Sequence, residues 1–204
     1  SYNSKPFDVS LTNFLNYSPY YYQMTKMGEC DEEMILGEDG YPCSGPEYDF
    51  IEWGSGPGWL YMYDTKGVEA LIMGCEFNLN YAQHDFSIDY DFSYVRGENL
   101  SFEEPLSYMN PAKHVLNIGY DQNFMNYKLR LSKTHSQNRL GEFETYTPSS
   151  FLMDFIISFT NKKQSLTLQF NNILDQTHYN HLSKIKFIAP EPGRNLVISY
   201  KLLF

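Results

Sequence analysis

The chain has 204 residues, of which 42% are hydrophobic and 17% are aromatic, and its formal net charge is −10. No run of residues approaches the roughly 18 apolar positions of a membrane-spanning helix, and an acidic chain lacks the clustered basic face that nucleic-acid binding requires. The 18 Tyr and 15 Phe favour an all-β chain, because aromatic side chains suit half-buried pleated surfaces. The length and the lack of a Pro/Gly/Ser-rich linker predict a single domain over residues 1–204.

Strict alternation of apolar and polar residues predicts eight β-strands. The clearest strand is 86–94, where Phe86 and Ile88 alternate with Ser87 and Asp89. A period of two places these side chains on opposite faces of a strand. In chain order the predicted strands contain residues 7–11, 77–81, 86–94, 115–120, 127–131, 151–159, 165–170 and 196–204.

The connections between these strands alternate between long and short. The long ones are 17–58, 97–112, 135–148 and 174–194, and the short ones are 82–85, 121–123 and 160–163. All short turns therefore lie at one end of the sheet and all long loops at the other, as in outer-membrane β-barrels with periplasmic turns and extracellular loops. A soluble antiparallel sandwich shows the same alternation. Strand length, loop asymmetry and aromatic residues at the strand ends favour the barrel.

The same alternation predicts which side chains of the strands face lipid and which face the barrel lumen. Cys75 would face lipid as a small apolar residue. The charged side chains predicted to face the barrel lumen are Glu76, Asp89, Asp91, Lys128, Arg130 and Asp154.

Sequence elements near the C-terminus resemble the end of a TonB-dependent outer-membrane receptor. In order, they are Asn172-Ile173-Leu174-Asp175, Tyr179, His181-Leu182-Ser183, Pro192-Gly193-Arg194-Asn195 and a last strand ending at Phe204. Weaker matches are Gly74-Cys75-Glu76 and Pro148-Ser149-Ser150-Phe151. The resemblance covers roughly residues 68–204, and it implies an antiparallel barrel segment of about eight strands from a barrel of about 22 strands.

The resemblance implies an importer of a scarce ligand, such as a ferric siderophore or cobalamin, recognised by extracellular loops. Such a receptor contains an N-terminal plug and is energised through TonB, and neither the plug nor a TonB box precedes Ser1 in this sequence. The expected partners are therefore the plug, the remaining barrel strands, the TonB complex and outer-membrane lipid. Tyr200 and Phe204 resemble the terminal signal that the barrel assembly machinery reads.

Two alternatives remain open from the sequence. A complete eight-stranded outer-membrane barrel acting as an anchor or adhesin would have about this length. An outer-membrane lipase or acyltransferase is the second alternative, but no catalytic grouping is recognisable, so we expect no enzymatic activity and no cofactor.

A group of aromatic residues in and around the first long loop forms the candidate ligand site. Amphipathic rings at this end either grip a ligand or belong to the interfacial belt and the loop packing. The candidates are Tyr20, Tyr21, Tyr22, Tyr48, Trp53 and Tyr61.

Cys30 and Cys43 lie in one polar loop and are candidates for a disulfide, which an oxidising compartment would permit. Two unpaired thiols are the alternative. The acidic residues between them do not have EF-hand spacing, and the five histidines show no metal-binding pattern. We therefore assign no metal.

Overall fold

The structure is a computed structural model, and it describes residues 2–4, 6–26, 50–52, 59–61, 63–141, 144–186 and 188–202. No helix among these residues is long and apolar enough to cross a membrane. The strands are β1 (Tyr2–Ser4), β2 (Phe7–Lys26), β3 (Phe50–Glu52), β4 (Trp59–Tyr61), β5 (Tyr63–Gln83), β6 (Phe86–Asn99), β7 (Glu104–Pro105), β8 (Lys113–Gln122), β9 (Met125–Thr134), β10 (Ser150–Thr160), β11 (Gln164–Asn171) and β12 (Asn195–Leu202).

Most of the strands form one antiparallel sheet in the order β1-β2-β5-β6-β8-β9-β10-β11-β12, with β7 pairing on β6; β3 and β4 pair with each other. All eight predicted strands are present, so the all-β prediction is confirmed. β1 was not predicted, because three residues are too few to show alternation. In the described residues β1 and β12 are the two edges of this order.

Cross-strand pairing keeps the two faces of the sheet chemically distinct. Phe77 pairs with Phe92 on the apolar face, which we call the outer face. On the other face, the inner face, Asn78 Nδ2 donates to Asp91 Oδ1 at 2.6 Å. Cys75 pairs with Tyr94 and is half-buried on the outer face, as the alternation predicts.

The outer face is not covered by any other part of the described chain. Leu11 is 58% exposed, Ile198 62% and Tyr200 61%. The buried hydrophobic residues of the described chain are Val68, Ala70 and Leu106. The sheet therefore needs an apolar solvent or a partner along its outer face.

β2 and β5 continue far beyond their predicted ends. The prediction of a loop over 17–58 is wrong at its start, because β2 continues to Lys26. The pairing register shifts between Ser18 and Tyr21, and Pro19 lies inside this bulge. A bulge adds one residue to one strand and inverts its alternation, so the period-two pattern stops there although the strand does not.

The other predicted connections agree more closely with the structure. β5 and β6 meet at His84 and Asp85, and β8 and β9 meet at Asn123 and Phe124. His84 and Asn123 have φ values of 54° and 52°, the left-handed conformation that tight turns use. The long connection predicted over 97–112 is shorter than expected, because β6 extends further and β7 pairs back on it.

Candidate functional site

Three of the long connections pack against one another at one end of the sheet. We call them loop A (100–112, which includes β7), loop B (135–149) and loop C (172–194). Gln137 Nε2 of loop B donates to Met109 O of loop A at 2.8 Å. Loops A and B are therefore in direct contact.

Loop A is held at its start by Asn99, the last residue of β6. Asn99 is fully buried. Its Oδ1 accepts the N–H of Ser101 at 3.1 Å, and its Nδ2 donates to Glu104 Oε1 at 3.1 Å. Leu106, also fully buried, lies against Gly97 so closely that a Cβ there would come within 2.9 Å of it. Loop A is thus folded down onto the end of β6.

Four side chains of loops B and C form a hydrogen-bonded chain, which we call the loop latch: Glu144, Thr147, His181 and the half-buried Lys186. The side chains of His181 and Glu144 are only 1% and 3% exposed. Lys186 Nζ donates to Thr147 Oγ1 at 2.8 Å. Thr147 Oγ1 lies 2.9 Å from His181 Nδ1, and His181 Nε2 lies 2.9 Å from Glu144 Oε1.

The donors and acceptors of the latch determine which atom carries the proton of each hydrogen bond. The carboxylate of Glu144 only accepts, so His181 Nε2 carries the proton of this bond. The ammonium of Lys186 only donates, so Thr147 Oγ1 accepts from it and directs its own proton to His181 Nδ1. That nitrogen must then be unprotonated. The latch is therefore complete when the imidazole of His181 is neutral.

Glu144 also fastens loop A to the latch. Its Oε1 accepts the backbone N–H of Tyr108 at 2.7 Å, and its Oε2 accepts the backbone N–H of Gly141 at 2.8 Å. Lys184 Nζ of loop C lies 3.5 Å from the centroid of the Tyr108 ring, a cation–π contact. The latch therefore joins all three loops.

Burial lowers the pKa of His181 below its ordinary value, because the charged imidazolium loses its hydration. The carboxylate of Glu144 opposes this shift, and the positive charge of Lys186 adds to it. Burial also lowers the pKa of Lys186. The environment of the latch thus favours the neutral imidazole that its hydrogen bonds require.

The latch borders a cavity of about 470 Å³ between loop C and the inner face of the sheet, which we call the chamber. Lys113, Arg130 and Asp154 line it from β8, β9 and β10, and His178 and His181 line it from loop C. Arg130 Nε is buried and has no hydrogen-bond partner in the described part of the chain. The chamber thus offers polar and charged groups of both signs.

Both ends of loop C are fixed by the sequence elements that carry the family resemblance. Asn172 Oδ1 accepts the N–H of Gln176 at 3.0 Å, and Asn172 Nδ2 donates to Gln176 O at 2.9 Å. Asp175 Oδ1 accepts the N–H of Arg194 at 2.9 Å, which joins the beginning of the loop to its end. Asn172 and Asp175 have φ values of 48° and 55°, a conformation that Asn and Asp tolerate better than most residues.

Three of the tyrosines predicted to bind ligand lie elsewhere, in the bulge of β2 and directly after it. Tyr20 and Tyr22 are 77% and 75% exposed, whereas Tyr21 is half-buried and pairs with Val68. Tyr61 is the last residue of β4. Tyr48 and Trp53 lie outside the described residues. Ligand binding by this group stays a prediction.

The predicted disulfide and assembly signal lie largely outside the described residues. Cys30, Cys43 and Phe204 are not among them. Tyr200 lies on β12, and its hydroxyl donates to Gln164 Oε1 at 3.0 Å. The roles proposed for these residues stay predictions.

The sequence did not reveal the latch. From the sequence, His181 was considered as part of a family element and as one of five histidines without a metal-binding pattern, and Glu144, Thr147 and Lys186 were not singled out. His181 is 37 residues from Glu144 and 34 from Thr147 along the chain. No local spacing signals such a cluster, because it forms only when the loops pack.

No group of three or more His, Cys, Asp or Glu in the described residues is arranged to hold a metal ion. A histidine pair does occur, with His114 Nε2 at 3.1 Å from His135 Nε2. The hydroxyl of Tyr90 lies 2.7 Å from His114 Nδ1. Tyr90, His114 and His135 thus form a satisfied hydrogen-bonded chain.

Comparison with known proteins gives matches in structure but not in sequence. No family profile matches the chain, and no curated protein sequence matches it. The chain is similar to the copper transporter OprC, with 16% identity and a TM-score of 0.78 over 100% of this chain and 30% of OprC. It is also similar to the pyoverdine outer-membrane receptor FpvA of Pseudomonas aeruginosa PAO1, with 16% identity and a TM-score of 0.63 over 100% of this chain and 28% of FpvA.

A third match is the ferric enterobactin receptor PfeA of Pseudomonas aeruginosa, with 14% identity and a TM-score of 0.66 over 98% of this chain and 29% of PfeA. The chain has the fold of a TonB-dependent receptor barrel. It spans less than a third of each of these TonB-dependent receptors, which fits a segment of a larger barrel. The three matches are a transporter and two receptors, so they favour neither the enzyme nor the complete small barrel.

Proposed function

We propose that residues 1–204 are the C-terminal barrel segment of a TonB-dependent receptor in the bacterial outer membrane, and that the receptor imports a scarce ligand. The observation that carries the proposal is the chamber, a cavity that loops A and C and the inner face of the sheet line with polar and charged groups, on a sheet with the fold of such receptors. The similar proteins are a transporter for copper and receptors for pyoverdine and ferric enterobactin. A metal ion or a ferric siderophore is therefore the class of ligand to test first, with cobalamin next.

The same proposal accounts for the surfaces that the chain leaves uncovered. Lipid would cover the exposed apolar outer face. The edges β1 and β12 would pair with the remaining strands of the barrel, since unpaired edges otherwise aggregate. A plug would border the inner face, and the TonB complex would act through it. The assembly machinery would read the C-terminal strand.

A binding experiment on the intact receptor tests the chamber. The probes are copper ions, ferric enterobactin, ferric pyoverdine and cobalamin, titrated into the receptor in detergent micelles. We expect one probe to bind, and a siderophore or cobalamin probe to bind about tenfold or more weakly to Arg130→Ala, since a lost charged hydrogen bond costs about 1.5–3 kcal/mol. Lys163→Ala, an exposed substitution at the short-turn end, is the control.

Two results would contradict the proposal. One is that none of the probes binds to the intact receptor or supports uptake by cells that express it. The other is that Arg130→Ala and Lys163→Ala bind the probe equally well, which would place recognition away from the chamber. Binding that depends on Tyr20 or Tyr22 instead would favour the tyrosines predicted from the sequence.

A further inference from the structure

The hydrogen bonds of the latch depend on the protonation state of His181. With His181 neutral, each donor faces an acceptor along the series Lys186, Thr147, His181 and Glu144. A proton on His181 Nδ1 would give Thr147 Oγ1 two donors, and the hydroxyl proton of Thr147 would lose its acceptor. The imidazolium would also lie beside an ammonium, because Lys186 Nζ is only 3.3 Å from His181 Nδ1.

We infer that the loop latch is a proton-sensitive lock that holds loops A, B and C together beside the chamber. His181 is the positioning residue of this lock. It opens when His181 is protonated, and loop C then separates from loops A and B, so that all three loops lose the contact that protects them. The lock adds regulation to the proposed function. Its relevance to ligand binding rests on that function.

The charges around His181 determine the direction of the pH effect. From loop B it faces the carboxylate of Glu144, and from its own loop it faces the ammonium of Lys186. Loop A contributes the backbone N–H of Tyr108 to the same carboxylate. The other charged or titratable groups that line the chamber with His181 are Lys113, Arg130, Asp154, His178, Tyr179 and Glu191. The carboxylate of Glu144 favours protonation of His181, whereas burial of the ring and the ammonium of Lys186, 3.3 Å from His181 Nδ1, oppose it.

The pKa of His181 in the latched and open states determines whether acid or base opens the lock. The pKa of His181 is lowered in the latched state, and in the open state it returns towards its ordinary value of about 6.5. The stabilisation of the latched state is therefore fully present above about pH 6.5, and it is lost as the pH falls through the lowered pKa. Acidification opens the lock.

Hydrogen exchange on the intact receptor tests the lock without any ligand. Exchange is measured at about pH 8 and about pH 5, the range in which histidine titrates, with correction for the intrinsic pH dependence of exchange. We expect amides of loops A, B and C to lose protection together at the lower pH, by the same several-fold factor. The strands should not respond. If the corrected exchange rates of all three loops are the same at both pH values, the inference is overturned.

Variants separate the lock from general instability. His181→Gln cannot take up a proton, and we expect its loops to exchange at a rate that does not depend on pH. His178→Gln is the matched control: it lies three residues away on the same loop and lines the same chamber, but its contact is with Gln176 O. We expect this control to keep the wild-type response. A pH response confined to loop C, or an equal loss of the response in both variants, also overturns the inference.

The hydrogen-exchange experiment and the binding experiment test the lock and the proposed function independently. Hydrogen exchange reports on the loops whether or not a ligand is known. A pH response with no ligand found would leave the lock established and the receptor proposal in doubt. Ligand binding in the chamber with no pH response would do the reverse.

Discussion

Replacing Gly74 by Ala should destabilise the barrel, although Gly in a strand is ordinarily unfavourable. Gly74 lies on the inner face of β5 and pairs with Phe14 of β2. A Cβ at this position would lie 2.3 Å from Phe14 Cζ, 2.6 Å from Phe14 Cε1 and 2.7 Å from the carbonyl oxygen of Tyr94. Carbon atoms in contact are normally about 3.5–4.0 Å apart, so the ring of Phe14 packs directly on the bare backbone.

The free-energy cost of Gly74→Ala depends on which of these neighbours can move away from the new Cβ. The ring of Phe14 is the end of a side chain and can rotate away, but it then loses its packing on Gly74. The carbonyl of Tyr94 belongs to β6 and moves only if the ladder between β5 and β6 is strained. Overpacking of this kind costs about 1–3 kcal/mol. The gain from replacing Gly in a strand is about 0.5–1 kcal/mol, so the net cost of Gly74→Ala should lie between about 0 and 2.5 kcal/mol, with a central value of about 1 kcal/mol.

Gly67 provides a matched control in the same strand. A Cβ on Gly67 would meet only Tyr20 Cδ1, at an ordinary distance of 3.8 Å. Gly67→Ala should therefore stabilise the protein by up to about 0.5–1 kcal/mol. The assay is urea unfolding of the intact receptor in detergent micelles, followed by tryptophan fluorescence. The reasoning is refuted if Gly74→Ala is as stable as Gly67→Ala.

Three further predictions concern the outer face and the loops. With the other two cysteines replaced by Ser, Cys75 in native membranes should react with an apolar maleimide and resist a charged one, and equal labelling would contradict its lipid-facing position. Asp175→Ala should lose about 1–2 kcal/mol in urea unfolding, because the bond to the N–H of Arg194 is removed at a left-handed residue; Asp175→Asn should lose less. Gly141→Ala should expose loops A and B to hydrogen exchange, since its Cβ would lie 2.5 Å from Ser107 N, and unchanged protection would contradict this.

The strands could be predicted from the sequence because each one has to present one apolar and one polar face. That requirement is local, and it is visible in residues such as Phe86, Ser87 and Ile88. The prediction failed where a bulge at Ser18 to Tyr21 inverted the alternation. A pattern that depends on phase cannot follow a strand through a change of phase.

The loops could not be predicted in the same way. Glu144 and His181 are distant in sequence, and each is unremarkable among polar neighbours until loops B and C pack. Burial of a polar group is acceptable only with a partner, and the partner here comes from a different loop. The length and position of loop C were predicted, but its contacts were not.

The position of the latch within loop C determines which part of the protein it controls. Asn172 fixes the beginning of the loop, and the bond from Arg194 to Asp175 fixes its end. Neither pair includes a group of the latch, so neither is weakened when His181 takes up a proton. The part of loop C that is free to move is then the middle, which carries His178 and His181 and lines the chamber. Protonation of His181 should therefore change the wall of the chamber while the barrel strands and the loop ends stay in place.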